Sequence, residues 1–181
     1  MNPQQDTHFE IKKLGVFNWQ VPDTTTVGWR TMAGAAKTEE DWVKFFLAPT
    51  LDSHVPVQLA KLLEVARGAM IYSWYFYPLA TLGAEQCFRL YDTGTRIRCG
   101  QLGISTKTVT KKGVEMDAPF SANVKSLMKK GIIQETDQYR WDAIRELRNS
   151  SSHPERQTIL APDDAQTILC VVVELLNDLF R

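Results

Sequence analysis

The chain has 181 residues, 44% of them hydrophobic, which fits one ordinary folded domain with a short appended segment. Lysine plus arginine and aspartate plus glutamate both count 21, and this zero net charge argues against a strongly electrostatic, non-specific nucleic-acid binder, although a local basic patch stays open. No apolar run reaches the ~18 residues of a membrane helix, and the first seven residues lack a signal pattern, so we expect a cytoplasmic protein with no membrane partner.

Residues 1–37 differ in pattern from the rest of the chain. Short, roughly alternating pieces at 9–14 and 27–30 are separated by Gly15, Pro22, Asp23 and three threonines. This pattern predicts an irregular arm with a short strand or hairpin, laid on a main domain of residues 38–181.

From Thr38 the pattern becomes helical. Thr38 can cap a short helix that Pro49 ends. A long helix is predicted from about Val55, with apolar residues at three- and four-residue steps as far as Tyr77, and Pro78 is expected to start the following helix.

Residues 94–118 are rich in glycine, threonine and lysine, which predicts a loop. The next helix should contain Phe120 and end at Lys129-Lys130-Gly131. Another, capped by Thr136 or Asp137, should end by Pro154. A last helix from Pro162 to Phe180 is apolar on nearly every face between 168 and 176, so it should lie at the centre of the bundle.

The run Arg148-Asn149-Ser150-Ser151-Ser152-His153 is the best candidate for a functional site. Arg148 and His153 would lie roughly 140° apart around an ideal helix. However, Pro154 disfavours helical geometry at His153, and the serines can unwind the helix end, so His153 could turn back toward Arg148. A permanent cation beside a group that titrates near neutral pH suits phosphodiester cleavage. On spacing alone, an ordinary helix stop with His153 capping a carbonyl group is favoured over catalysis.

The motif R-N-S-S-S-H-P, placed before the last helix of an all-α bundle, resembles the R-N-x-x-x-H motif of the HEPN superfamily. The segments 66–70, 77–79 and 84–85 resemble the paired core helices of bacterial HEPN-like proteins, and residues 141–149 resemble the usual lead into the motif. The resemblance covers roughly residues 55–181.

The resemblance implies a HEPN-like helical bundle that forms a homodimer and cleaves RNA without metal or cofactor, leaving 2′,3′-cyclic phosphate ends. It makes His153 the general acid or base, Arg148 the phosphate-binding residue and Asn149 the orienting residue, with Glu85 as a candidate assisting residue. It also implies a role in bacterial defence or toxin–antitoxin-like growth control, with an antitoxin or defence-system partner. Two alternatives remain open: a catalytically inactive HEPN-like module that binds a protein or nucleotide, and, without the resemblance, an interaction domain of unknown ligand.

Other charged and aromatic residues are weaker candidates for a functional site. Arg96, Arg98, Lys111 and Lys112 are candidate RNA-binding residues on the basic loop, although a solvated flexible loop is the favoured interpretation. Arg67 and Arg89 could contact RNA but are more typical of solvated helix residues. The four aromatics of 74–77 are expected to pack rather than to stack on bases. Three widely spaced cysteines predict reduced, mostly buried thiols, and three scattered histidines give no metal-ligand spacing.

Overall fold

The computed structural model describes residues 11–33, Ala36, 38–151 and 159–181, without the side chains of residues 30–33 and Ser151. This part of the chain is mostly helical, with one small two-stranded sheet. Its helices are α1 (Thr24–Ala33), α2 (Glu39–Leu47), α3 (Val57–Tyr72), α4 (Leu79–Gln101), α5 (Phe120–Lys129), α6 (Gln138–Ser151) and α7 (Pro162–Phe180). Strands β1 (Lys107–Val109) and β2 (Glu115–Asp117) pair antiparallel, and a 3₁₀ turn (Glu135–Asp137) precedes α6.

Most helix ends follow the predicted signals. Thr38 and Asp41 form a reciprocal capping box at the start of α2. Gly131, with φ of 71°, ends α5, where its N–H and that of Ile132 bond to the carbonyl oxygens of Met128 and Leu127. α7 begins at Pro162, and α4 begins directly after Pro78, as expected.

The predicted strand or hairpin in the N-terminal arm is wrong for residues 27–30, which lie in α1. Asp23, itself buried, accepts hydrogen bonds from the backbone N–H groups of Thr25 and Tyr77. Thr26 donates from Oγ1 to the carbonyl oxygen of Ser73. The local bond between Asp23 and Thr25 and the two tertiary bonds together favour a helix over the alternating pattern. Residues 1–10, which include the start of the other predicted piece, lie outside the described residues.

Two further helix boundaries differ from the prediction. α3 ends at Tyr72, and residues 73–78 form the turn to α4, so the four aromatics 74–77 do not lie on a helix. α4 continues to Gln101, so the predicted loop is wrong for residues 94–101. Part of the remaining loop is the β-hairpin, in which Lys107 pairs with Asp117 and Val109 with Glu115. The chain is therefore mainly rather than purely helical.

The core centres on α4, which packs against α3, α5, α6 and α7. Gly94 of α4 lies between Leu59 of α3 and Leu176 of α7. The expected central position of α7 agrees with its many buried residues and with its contacts to α1, α2, α4 and α6. Tyr91 of α4 stacks on Trp141 with ring centres 4.9 Å apart and donates a 2.8 Å hydrogen bond to that residue's carbonyl oxygen.

The far end of α7 is joined to the loop between α2 and α3. The Asn177 side chain accepts from the backbone N–H of Asp52 at 2.8 Å and donates to the carbonyl oxygen of Thr50 at 3.0 Å. Arg181 forms an ion pair with Asp52 at 3.3 Å. These contacts connect positions more than 120 residues apart in the sequence.

We expect Gly83→Ala to lower the free energy of unfolding by about 1–3 kcal/mol, because an overpacked buried site must shift its neighbours. A Cβ at Gly83 would lie 2.9 Å from the carbonyl oxygen of Ala66 and would overlap Met70 Cγ. The control is Gly100→Ala, where a Cβ on the same helix meets nothing within 4 Å. That change should raise stability by up to about 1 kcal/mol through helix propensity. Urea unfolding followed by circular dichroism measures both, and equal effects would contradict the proposed close contact of α3 and α4.

Candidate functional site

A polar cavity of about 660 Å³ lies between α3, α4 and α6, within the range of small-ligand sites. Six of its eight lining residues are polar or charged. They are Glu85, Gln86, Arg89, Asp92 and Thr93 of α4 and Arg148 of α6, with Leu62 of α3 and Phe88 of α4 as the apolar members. Glu85, Arg89 and Asp92 recur at steps of four and three residues, which places them along one stripe of α4.

The cavity brings together two residues that the sequence analysis assigned to one site. Arg148 and Glu85 both line it, although they are 63 positions apart. Asn149 follows Arg148 on α6 and is exposed, but it does not line this cavity. His153 lies outside the described residues, so its predicted role stays a prediction.

Glu85 also lines a second, smaller and mainly apolar cavity of about 60 Å³. Leu147 and Ser150 of α6 form one side of it, and Leu160 and Ile168 form another. The motif-bearing end of α6 is therefore packed over Glu85, which borders both cavities. Any ligand held by Arg148 would lie beside this carboxylate.

Charge is distributed unevenly along the polar stripe. Within the part of the chain that the structure describes, neither Glu85 nor Arg89 forms an ion pair, and both side chains are exposed. Asp92 instead accepts from Arg96 Nε at 3.3 Å, and Arg96 also lies 3.3 Å from Asp117. Glu85 and Arg89 are thus available to pair with a charged ligand, whereas Asp92 already forms an ion pair with Arg96.

Asp117 and Lys107 complete this ion network at the base of the hairpin. Lys107 Nζ donates to Asp117 at 2.6 Å. This hydrogen bond, helped by the charge of Lys107 and then of Arg96, lowers the pKa of Asp117. Because both side chains are largely exposed, the pair adds little to stability.

The candidate RNA-binding residues Arg96 and Arg98 have different neighbours. Arg96 belongs to the ion network, whereas the Arg98 guanidinium lies 5.7 Å from the centre of the Phe180 ring. Residues two apart on a helix point in different directions. Lys111 and Lys112 are exposed at the hairpin turn. The role of all four residues in RNA binding stays a prediction.

Arg67 and Arg89, the two other arginines that could contact RNA, have opposite environments. Arg67 is buried and donates to Glu64 and to the carbonyl oxygens of Leu47 and Pro49 at the end of α2, so the expectation of a solvated residue is wrong. Arg89 is exposed and lines the cavity. Gln86, Asp92 and Thr93 were not identified as candidates; the spacing of polar residues along 85–93 was the available signal.

The described residues offer no metal cluster and no thiol nucleophile at the cavity. No group of three His, Cys, Asp or Glu among them could hold a metal ion. Burial raises the pKa of Cys87 to about 12, so this thiol stays protonated at neutral pH. None of the described helices is both long and apolar enough to pass through a bilayer.

One protein family matches part of the chain. The family is described as a domain of unknown function (DUF4145), and the match covers residues 95–181, slightly less than half of the sequence. It includes α5, α6, α7 and the R-N-x-x-x-H run, but not Glu85, Arg89 or Asp92. No curated protein and no solved structure matches the chain.

We expect Cys87 to resist thiol reagents in the folded protein. A raised pKa keeps the thiolate fraction small up to alkaline pH, and the sulfur is buried. Cys170, which is only partly buried, is the internal control and should be modified first. Mass-spectrometric mapping after brief iodoacetamide treatment at pH 8 measures both. Modification of Cys87 at the rate seen in urea-unfolded protein would contradict the burial.

Proposed function

We propose that this protein is a metal-independent endoribonuclease with a HEPN-like helical bundle. The observation that carries the proposal is the shared cavity of Arg148 and Glu85. The resemblance assigned these two residues to one site, and both line the polar cavity that lies where α4 packs against α6.

The charge of the cavity supports a phosphodiester as the ligand. Arg148 and Arg89 bring two guanidinium groups to the lining, beside the carboxylate of Glu85. Each phosphodiester of an RNA backbone carries one negative charge. Arginine can bind two phosphate oxygens at once and stays charged at all relevant pH values.

The proposed reaction is internal transfer of the phosphoryl group. The ribose 2′-oxygen attacks the adjacent phosphorus, the bond from phosphorus to the 5′-oxygen breaks, and a 2′,3′-cyclic phosphate remains. One group removes the 2′-hydroxyl proton and another delivers a proton to the leaving 5′-oxygen. His153 is assigned to proton transfer, Glu85 assists it, Arg148 stabilises the phosphate charge, and Asn149 orients the site.

The proposed active form is a homodimer. Leu147, which precedes Arg148 on α6, and Leu82, one turn before Gln86 on α4, remain exposed and offer apolar area to a second copy. We place the protein in the cytoplasm, where its three free cysteines stay reduced. Its biological role would be bacterial defence or growth control, with an antitoxin or defence-system protein as partner.

The purified protein should cleave total RNA equally well with and without EDTA, and His153→Ala should abolish cleavage. Arg148→Ala should reduce the rate roughly 10²–10³-fold, the usual loss for a group that stabilises transition-state charge. Arg145→Ala is the matched control, because Arg145 lies one turn earlier on α6, pairs with Asp142 and does not line the cavity. Gel analysis and chemical end-mapping follow the products. If wild type and His153→Ala are equally inert on tRNA, mRNA and rRNA, the catalytic proposal fails and a non-catalytic binding module is the better description.

Glu85→Gln should lower the cleavage rate by at least about tenfold while the protein stays folded, because the amide cannot accept a proton. Glu146→Gln is the control, since Glu146 is exposed on α6 and does not line the cavity. The rate is measured under single-turnover conditions across pH. An unchanged rate and pH profile would remove Glu85 from the proposed machinery.

A further inference from the structure

Arg89 differs from the other arginines whose side chains the structure describes. Every other such arginine takes part in a hydrogen bond, an ion pair, a ring contact or another electrostatic interaction. Arg89 has none of these among the described residues, although Glu85 and Asp92 lie four and three positions away on the same helix. Side chains at these spacings are neighbours on a helix surface. The Arg89 guanidinium is therefore available to bind a ligand in the cavity that it lines.

The two carboxylates beside Arg89 have different surroundings. Asp92 Oδ2 accepts from Arg96 Nε at 3.3 Å, and Asp92 Oδ1 is shielded from solvent. The ion pair with Arg96 offsets part of the Asp92 charge and so weakens its repulsion of an anion at Arg89. Glu85 is exposed and has no ion pair among the described residues. The stripe thus presents an unpaired carboxylate and, one turn later, an unpaired guanidinium group.

The spacing of Glu85 and Arg89 matches the repeat of an RNA backbone. Their Cβ atoms lie about 6 Å apart, because the residues are one helical turn apart. Consecutive phosphates of a single RNA strand are separated by a similar distance. A strand laid along α4 that presents its reacting 2′-hydroxyl and scissile phosphate to Glu85 therefore brings the neighbouring phosphate level with Arg89. A cavity of about 660 Å³ admits a short single strand but not a duplex.

We infer that Arg89 binds the phosphate next to the one that is cleaved, so that the substrate is single-stranded RNA of at least three nucleotides. The guanidinium group donates two hydrogen bonds to the oxygens of that phosphate. Because this phosphate does not react, Arg89 stabilises the bound substrate and the transition state equally. The inference rests on the proposed function, and it names the substrate class of that site.

A dinucleotide and a trinucleotide with 2′-fluoro sugars and no terminal phosphates are suitable probes. They carry one and two phosphodiesters, and without 2′-hydroxyl groups they cannot be cleaved. We expect the wild-type protein to bind the trinucleotide about tenfold more tightly, the usual scale for a hydrogen bond to a charged group. Arg89→Ala should remove this difference by weakening only the trinucleotide complex, and Arg89→Lys should keep part of it, since lysine binds phosphate as a point charge. Isothermal titration calorimetry at several salt concentrations measures the affinities, and Arg89→Ala should lower the salt slope for the trinucleotide by about 0.7.

Lys61→Ala is the matched control. Lys61 is an exposed cation next to Leu62 on α3 but does not line the cavity, so the preference for the trinucleotide should stay near tenfold. Equal weakening of both complexes by Arg89→Ala, an unchanged trinucleotide affinity, or no binding of either compound by the wild type overturns the inference. If the Arg89-dependent preference is found but RNA is not cleaved, the phosphate site stands and the proposed catalysis fails. If RNA is cleaved and the preference is absent, the catalysis stands and the phosphate site fails.

Discussion

The close contact between α3 and α4 is the constraint on which the rest of the structure depends. Gly83 and Gly94 let backbone and core side chains approach α4 where any larger residue would meet Ala66, Met70 or Leu176. Helix pairs with small residues at the contact bring their axes together, and the outer stripe of α4 then lies next to Leu62 of α3. The same packing that fills the core thus also sets one wall of the polar cavity.

The sequence predicted helix ends well where a local signal decides them. These signals act within a few residues, so their effect can be predicted from the sequence. They are the capping box at Thr38, the glycine after α5 and the prolines at the starts of α4 and α7. The end of α4 could not be predicted from the sequence, because glycines such as Gly94 and Gly100 are typical of loops. The packing of Gly94 against Leu176 becomes apparent only in the fold. α1 was missed although Asp23 accepts from the backbone N–H of Thr25 in its first turn, because its other stabilising bonds come from residues 47 or more positions away.

The candidate site was only partly predictable. The resemblance identified Arg148 by its motif and Glu85 as a polar residue of an earlier core helix, and their common cavity then follows from the antiparallel packing of α4 and α6. Asp92 and Thr93 carry no motif, and their importance depends on which stripe of α4 stays uncovered. Arg96 and Arg98 are close in sequence but have different neighbours, Arg96 the carboxylates of Asp92 and Asp117 and Arg98 the ring of Phe180, and this difference could not be predicted from their spacing alone.

The hydrogen bonds that join the Asn177 side chain to residues 50–52 have a consequence for biosynthesis. α4 cannot cover its buried face until Leu176 has left the ribosome, and the loop before α3 cannot be fixed until Asn177 follows. During translation the α3–α4 pair must therefore persist with apolar surface exposed, a state that chaperones recognise. A chain that ends before Leu176 would therefore leave this face of α4 without its partner on α7.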